Sequence, residues 1–147
     1  MGLQKGNMTK IFVSTIGHQK DLEGSCEKVA HGAEGQYFFR NNKHYVKYDD
    51  SCMDDENVIR TTLKTDGETL NIFRRGAVDT DMTFVVGKTT RTAYRTPYNL
   101  MELEIRTKKL DIAMGEAAGQ VELCYDMAVN GELVGEYNLS IKITKAE

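Results

Sequence analysis

Met101, Leu103 and Ile105 alternate without interruption with Glu102, Glu104 and Arg106. A period of two sends successive side chains to opposite faces of a strand, so this segment has one apolar face and one charged face. Val121, Leu123, Tyr125, Met127 and Val129 repeat the pattern, and Tyr137, Leu139, Ile141 and Ile143 repeat it again. Asn130-Gly131 lies between these last two runs. That dipeptide is a strong hairpin signal, because both central residues of a type I′ turn need positive φ. Such a chain is committed to antiparallel sheet with one face buried and the other wet.

The same reading places strands near 8–18, 26–40, 43–49, 57–65, 68–75, 79–95, 99–112, 119–130 and 133–144. Turn chemistry marks Asn41-Asn42-Lys43 and Thr65-Asp66-Gly67-Glu68. The segment 79–95 reads as one long strand with Gly87 at its middle, where a bulge or sharp bend is expected. Gly32 and Gly35 interrupt the second strand in the same way. Apolar positions are odd as far as Ile105 but even at Leu110, Ile112 and Met114, so a bulge or change of sheet belongs near Lys108-Lys109. The helix candidate Asp111–Ala118 is spoiled by Gly115 and followed by Gly119, and it reads as strand end and loop. A flat sheet would leave one face unburied and two edges open. Long strands bent at glycines and joined by short turns predict a closed barrel instead. The expected fold is all-β, a single antiparallel meander β-barrel of about 8–10 strands with little or no helix. A length of 147 residues fits one domain, 1–147, in which 1–7 are expected to be a flexible tail.

Several classes of function lose support. No apolar run reaches the roughly 18–20 residues of a membrane helix, and Met1–Lys10 has no signal-peptide core. The expectation is a cytoplasmic protein that does not engage a membrane. Cys26, Cys52 and Cys124 are odd in number and widely spaced, so they read as thiols and not as a disulfide framework. His18, His31 and His44 show no ligand spacing, and the acidic run Asp49–Glu56 lacks calcium-loop spacing, so no metal is expected. No phosphate loop, dinucleotide fingerprint or nucleophile elbow is present, and neither a cofactor nor a catalytic residue is assigned.

Charge is unevenly spread along the chain. Residues 1–56 carry 7 basic and 9 acidic groups, residues 57–109 carry 10 and 6, and residues 110–147 carry 2 and 7. A net +4 over the middle segment is modest, so nucleic-acid binding is a weak reading.

Arg74-Arg75-Gly76-Ala77-Val78, Phe84-Val85 with Gly87, Tyr94, Glu102-Leu103 with Thr107, and Tyr125-Asp126-Met127 together resemble the YwiB-like family of small bacterial proteins. The resemblance runs from about Tyr37 to Ile143 and is poor over the first 36 residues. It implies a lipocalin-like (calycin-type) barrel and supplies no activity. The chain has no tryptophan, so it lacks the Gly-x-Trp motif of true lipocalins. Fold likeness alone does not carry their ligands over.

Strand phase points to one place where chemistry could sit. Leu70, Ile72 and Arg74 share a face, so an inward Leu70 and Ile72 imply an inward Arg74. Met82, Phe84 and Val86 share a face that continues to Thr90, Thr92 and Tyr94, and Tyr125 and Tyr137 lie on the apolar faces of the last two strands. The expected interior has an oily end and a polar end lined by Arg74, Thr90, Tyr94, Tyr125 and Tyr137. An inward guanidinium stays charged, and it needs a carboxylate, carbonyls, water or an anionic ligand. The structural alternative has Arg74 reaching solvent or pairing with Glu102, Glu104 or Asp126. The favoured functional reading is a non-enzymatic barrel that binds a small molecule in its interior, with anions among the candidates. One alternative is an enzyme acting inside the barrel, although Glu102, Glu104 and Glu122 fall in the outward phase. Another is a protein or RNA interaction module using the outward Arg91, Arg95, Arg106 and Lys108. No interface for oligomerisation is visible in the pattern.

Overall fold

The computed structural model describes residues 8–51 and 58–146, with side chains described at all of these except Asp50 and Ser51. The 1–7 segment, Cys52 and most of the acidic run after Asp49 lie outside the described residues. The described chain forms ten strands. The first five are β1 (Thr9–Asp21), β2 (Cys26–Arg40), β3 (Lys43–Ser51), β4 (Val58–Thr65) and β5 (Leu70–Gly76). The others are β6 (Asp79–Phe84), β7 (Thr89–Arg95), β8 (Leu100–Gly115), β9 (Ala118–Val129) and β10 (Glu132–Lys145). Each strand pairs antiparallel with its neighbours in sequence, and β1 pairs with β10 to close the barrel. Closure removes both sheet edges, as the alternating pattern requires.

The turns follow their chemistry. Asn130 and Gly131 have φ of 50° and 88°, the positive pair of a type I′ hairpin. Asn130 also ties this turn to β8, because its Oδ1 accepts from the Glu102 amide at 2.9 Å. Asn41 and Asn42 likewise adopt positive φ between β2 and β3. Gly76, with φ 128°, ends β5 so close to β4 that a Cβ there would run into the Val58 carbonyl oxygen. Only glycine combines that φ with that approach.

Two expectations about strands are corrected. The segment 79–95 is two strands, because Gly87 adopts φ 79° and the chain turns back at Val85–Lys88. The Lys88 amide donates to Val85 O at 3.0 Å, and the Gly87 amide donates to Thr107 O at 3.0 Å. A glycine in the left-handed region makes a tight turn where the alternation alone suggested a bend. The region Asp111–Gly115 continues β8, and the loop is confined to Glu116-Ala117. The phase flip near Lys108 is a β-bulge, seen as a register shift between Thr107 and Lys109.

The interior is graded from end to end. At one end Ile11, Val46, Leu70, Val121 and Ile143 are each at most 2% exposed. Ala117, fully buried at the tip of the β8–β9 hairpin, helps to close this end. Burying each of these aliphatic side chains contributes about 1.5–3 kcal/mol. The remaining void beside His44, Leu63 and Met114 is about 10 Å³, too small to hold a ligand. At the opposite end β1 and β2 run on as a hairpin with exposed residues at its tip, and the interior becomes polar.

Candidate functional site

β5 and β9 never neighbour each other in the sheet, and neither do β5 and β10. Arg74 on β5 nevertheless shares a cavity with Tyr125 on β9 and Tyr137 on β10. They meet across the barrel interior, so the Leu70–Ile72–Arg74 phase does point the guanidinium inward. The cavity has a volume of about 240 Å³ and lies at the polar end. Its far wall is the β1–β2 hairpin, which contributes Gly17, Gln19, Glu27 and Val29.

Tyr125 and Tyr137 are directly paired across β9 and β10. Their rings stack with centroids 5.2 Å apart and planes 9° from parallel. Phe84 packs on the other side of Tyr125 at 5.0 Å. The stack is a flat wall carrying two hydroxyls, apolar in body and polar at the tip. Burial pushes the Tyr125 phenol up to about 12, the nearby Arg74 charge draws it back, and Tyr137 adds to the rise. Burial also raises the Tyr137 phenol. Both rings therefore present neutral hydroxyls, able to donate hydrogen bonds, at neutral pH.

Arg74 is half-buried, and its Nε is sealed from solvent without a hydrogen-bond partner. Among the described residues it forms no ion pair, and the suggested pairings with Glu102, Glu104 or Asp126 are not made. Glu27 lines the same cavity but is exposed and lies beyond ion-pair distance of Arg74. Thr61, the cross-strand neighbour of Arg74, has an Oγ1 in the same buried and unpartnered state. Buried polar atoms are normally satisfied, so two adjacent orphans mark a local departure from the rule. Thr107 Oγ1 is buried without a partner as well, whereas Thr80 Oγ1 donates to Ala93 O at 2.9 Å and Thr65 Oγ1 to Thr69 O at 2.6 Å.

Of the five residues singled out by phase, Arg74, Tyr125 and Tyr137 line the cavity and Thr90 and Tyr94 do not. The turn at Gly87 explains Thr90. Its strand restarts from the opposite end of the barrel, and its Oγ1 donates to Thr83 O at 2.7 Å. Tyr94 lies at the polar end, paired with Thr80 and Met101, and packs against the core. Gln19, Glu27 and Val29 had no place in the sequence reading. Ending the first strand at residue 18 cut off Gln19, although the inward phase Thr15-Gly17-Gln19 continues through it.

Other chemically capable groups lie outside this cavity. Tyr37 Oη lies 2.7 Å from His44 Nδ1, but at the filled end. Burial lowers the His44 imidazole and raises the Tyr37 phenol, so both are neutral at pH 7. The Cys124 thiol is raised, first by burial, which disfavours the nucleophilic thiolate. Among the described residues no group of three His, Cys, Asp or Glu side chains is arranged to hold a metal. Among the described residues no helix is long and apolar enough to cross a membrane.

The class these features define is a closed, ten-stranded antiparallel barrel with one filled end and one polar, cavity-bearing end. Residues 13–141 match the family described as a domain of unknown function, DUF1934, and the chain belongs to that family. It is 30% identical over 120 residues to the uncharacterized beta-barrel protein YwiB of Bacillus subtilis, an alignment spanning 81% of this chain and 82% of that protein. The crystal structure of the ywiB protein from Bacillus subtilis matches with a TM-score of 0.86 at 25% identity, covering 99% of this chain and all of that one.

Proposed function

We propose that the polar end of the barrel binds a small anionic molecule, without catalysing its conversion. The carrying observation is Arg74: a guanidinium facing a cavity, with its Nε buried and unpartnered. A carboxylate or phosphate would meet it through the two-pronged hydrogen bonding that arginine favours. The neutral hydroxyls of Tyr125 and Tyr137 would orient the anion, and the ring stack would cover an apolar portion. A volume of about 240 Å³ falls below the roughly 300–1,000 Å³ of sites for drug-sized ligands. That size favours a short organic acid or small phosphate ester over a lipid. The interior placement is what a lipocalin-like barrel would offer, with a more polar and smaller site. The free Cys26 and Cys124 support a reducing, cytoplasmic setting.

Native mass spectrometry of freshly isolated protein, paired with thermal melts in phosphate and in short mono- and dicarboxylates, tests the proposal. A co-purified anion, or a melt shift present in wild type and absent in Arg74→Met, is expected. No bound mass and no anion-dependent shift would overturn it, as would equal shifts in both proteins.

A further inference from the structure

The outer face of β2–β5 gathers charge that the sequence scatters. Lys10, Arg40, Lys47, Arg60, Lys64 and Arg75 line one concave groove of about 1,030 Å³, against the two carboxylates Glu34 and Asp49. Register explains the gathering: Lys10 pairs with Gln36, Gln36 with Lys47, Lys47 with Thr62 and Thr62 with Phe73. These residues form one row across five strands, β1 to β5. The neighbouring row begins Phe38–Tyr45–Lys64.

Two features mark this face. Most of its cations have no ion-pair partner among the described residues. Arg75 is bound to Asp81 at 2.6 Å, but the other five form no ion pair among the described residues. On the far side of the barrel Arg91 pairs with Glu104, Lys109 with Asp111, and Lys108 with both Asp126 and Glu136. The groove also carries aromatic rings on its solvent side. Phe38 and Tyr45 stack with centroids 4.7 Å apart and planes 5° from parallel, and Phe73 lies beyond them. Lys47 Nζ sits 5.5 Å above the Phe38 ring and Lys64 Nζ 5.9 Å above that of Tyr45. Cations and ring faces are thus interleaved along one channel.

We propose that this groove binds single-stranded nucleic acid. The cations without an ion pair among the described residues match a phosphate backbone, and Phe73 offers a ring for a base to stack on beside the Phe38–Tyr45 pair, the combination found in single-strand binders. An acidic polypeptide would engage the cations but leave Phe38, Tyr45 and Phe73 without a role. A duplex hides its base faces and would do the same.

Fluorescence anisotropy with a labelled 12-nucleotide oligouridylate, its duplex with oligoadenylate, and a polyglutamate of equal charge separates these partners. Binding of the single strand in the range of about 1–100 μM at low salt is expected. Log affinity should fall with log salt at a slope of about −2 to −3.5, as five phosphate contacts allow. Lys47→Ala and Arg60→Ala should each lower the steepness by about 0.7. Phe73→Ser, checked for an unchanged melting profile, should weaken the single strand at least about fivefold and leave polyglutamate binding unaltered. Absence of oligouridylate binding at low salt would overturn the proposal. So would equal affinity for polyglutamate or duplex, or indifference to Phe73→Ser and to a second ring variant, Tyr45→Thr.

Discussion

Replacing Arg74 by methionine should stabilise the ligand-free protein while abolishing anion binding. An unsatisfied buried donor costs about 1–3 kcal/mol. Arg74 is only half-buried, which places it at the low end of that range. Methionine keeps most of the apolar stem that arginine lays against its neighbours and fills irregular space well. The net expectation is a gain of about 1 kcal/mol, or about 3 °C in Tm for a chain of this length. In urea the midpoint should rise at unchanged slope, which reports stability and not a change in the unfolded state. Arg74→Lys separates charge from shape: it keeps the cation but loses the planar fork, so it should gain no stability and bind a carboxylate more weakly.

The same substitution reverses its sign when ligand is present. An anion at a hundred times its Kd adds about 2.7 kcal/mol to wild type and nothing to Arg74→Met. The two melting curves should therefore cross as anion is titrated in. A loss of 1 kcal/mol or more in Arg74→Met without ligand would refute the reasoning. It would show that the guanidinium holds the fold together and that its lack of a partner is not an energetic cost.

Three further outcomes follow from the geometry. Gly76→Ala should destabilise by about 3 kcal/mol or more, as left-handed strain adds to overlap with the Val58 carbonyl; an unfolding free energy from urea titration within about 0.5 kcal/mol of wild type would contradict this. Spectrophotometric titration should show one of the seven tyrosines ionising near pH 12, and later still in Arg74→Met, because the Arg74 charge favours the phenolate. Since the folded value lies above the ordinary value of about 10, the Tyr125 contribution to stability is present below pH 10 and lost as pH rises towards 12. Lys108→Ala should cost less than about 1 kcal/mol at low salt and nothing measurable in 1 M salt, since its pairs with Asp126 and Glu136 are partly exposed. Lys108 holds the Glu136 carboxyl below its ordinary value, so that contribution is present above the ordinary carboxylate range and disappears as pH falls through the lowered value; an equal loss at pH 3 and pH 7 would contradict the assignment.

Alternation made the barrel legible because a period of two is a local property that closure does not disturb. The bulge near Lys108 was readable for the same reason: a one-residue insertion must flip every later side chain. Gly87 was harder to read. An even number of residues around a turn preserves phase, so Phe84 and Thr90 look like one face of one strand although the chain reverses between them. Arg74 and the tyrosines could be placed inside, but their meeting across the barrel depends on closure and on which strands stand opposite. The outer groove was the least visible. Its cations come from five strands, and Lys10, Arg40 and Lys47 lie in the segment 1–56, where acidic groups outnumber basic ones. Charge summed along the chain hides a patch that register assembles across it.

The distribution of unsatisfied groups bears on why the polar end exists. A barrel selected only for stability has a simple remedy at Arg74 and Thr61, since aliphatic side chains there would fill space and remove both orphaned atoms. The opposite end shows that this chain can pack an end of its barrel, with aliphatic side chains, a buried Ala117 and a void of only about 10 Å³. The two ends share ten strands and the same alternation, so strand geometry does not impose the difference. It comes from side-chain choice: Gly17, Thr61 and Arg74 replace aliphatic bulk in inward phase, leaving space together with unmet hydrogen-bonding capacity. A cavity left by imperfect packing would be lined by apolar atoms and stay dry. One that contains a guanidinium whose Nε is buried without a partner, together with two neutral phenols, is suited to a polar occupant, and the proposed anion would complete the electrostatics that the protein leaves open.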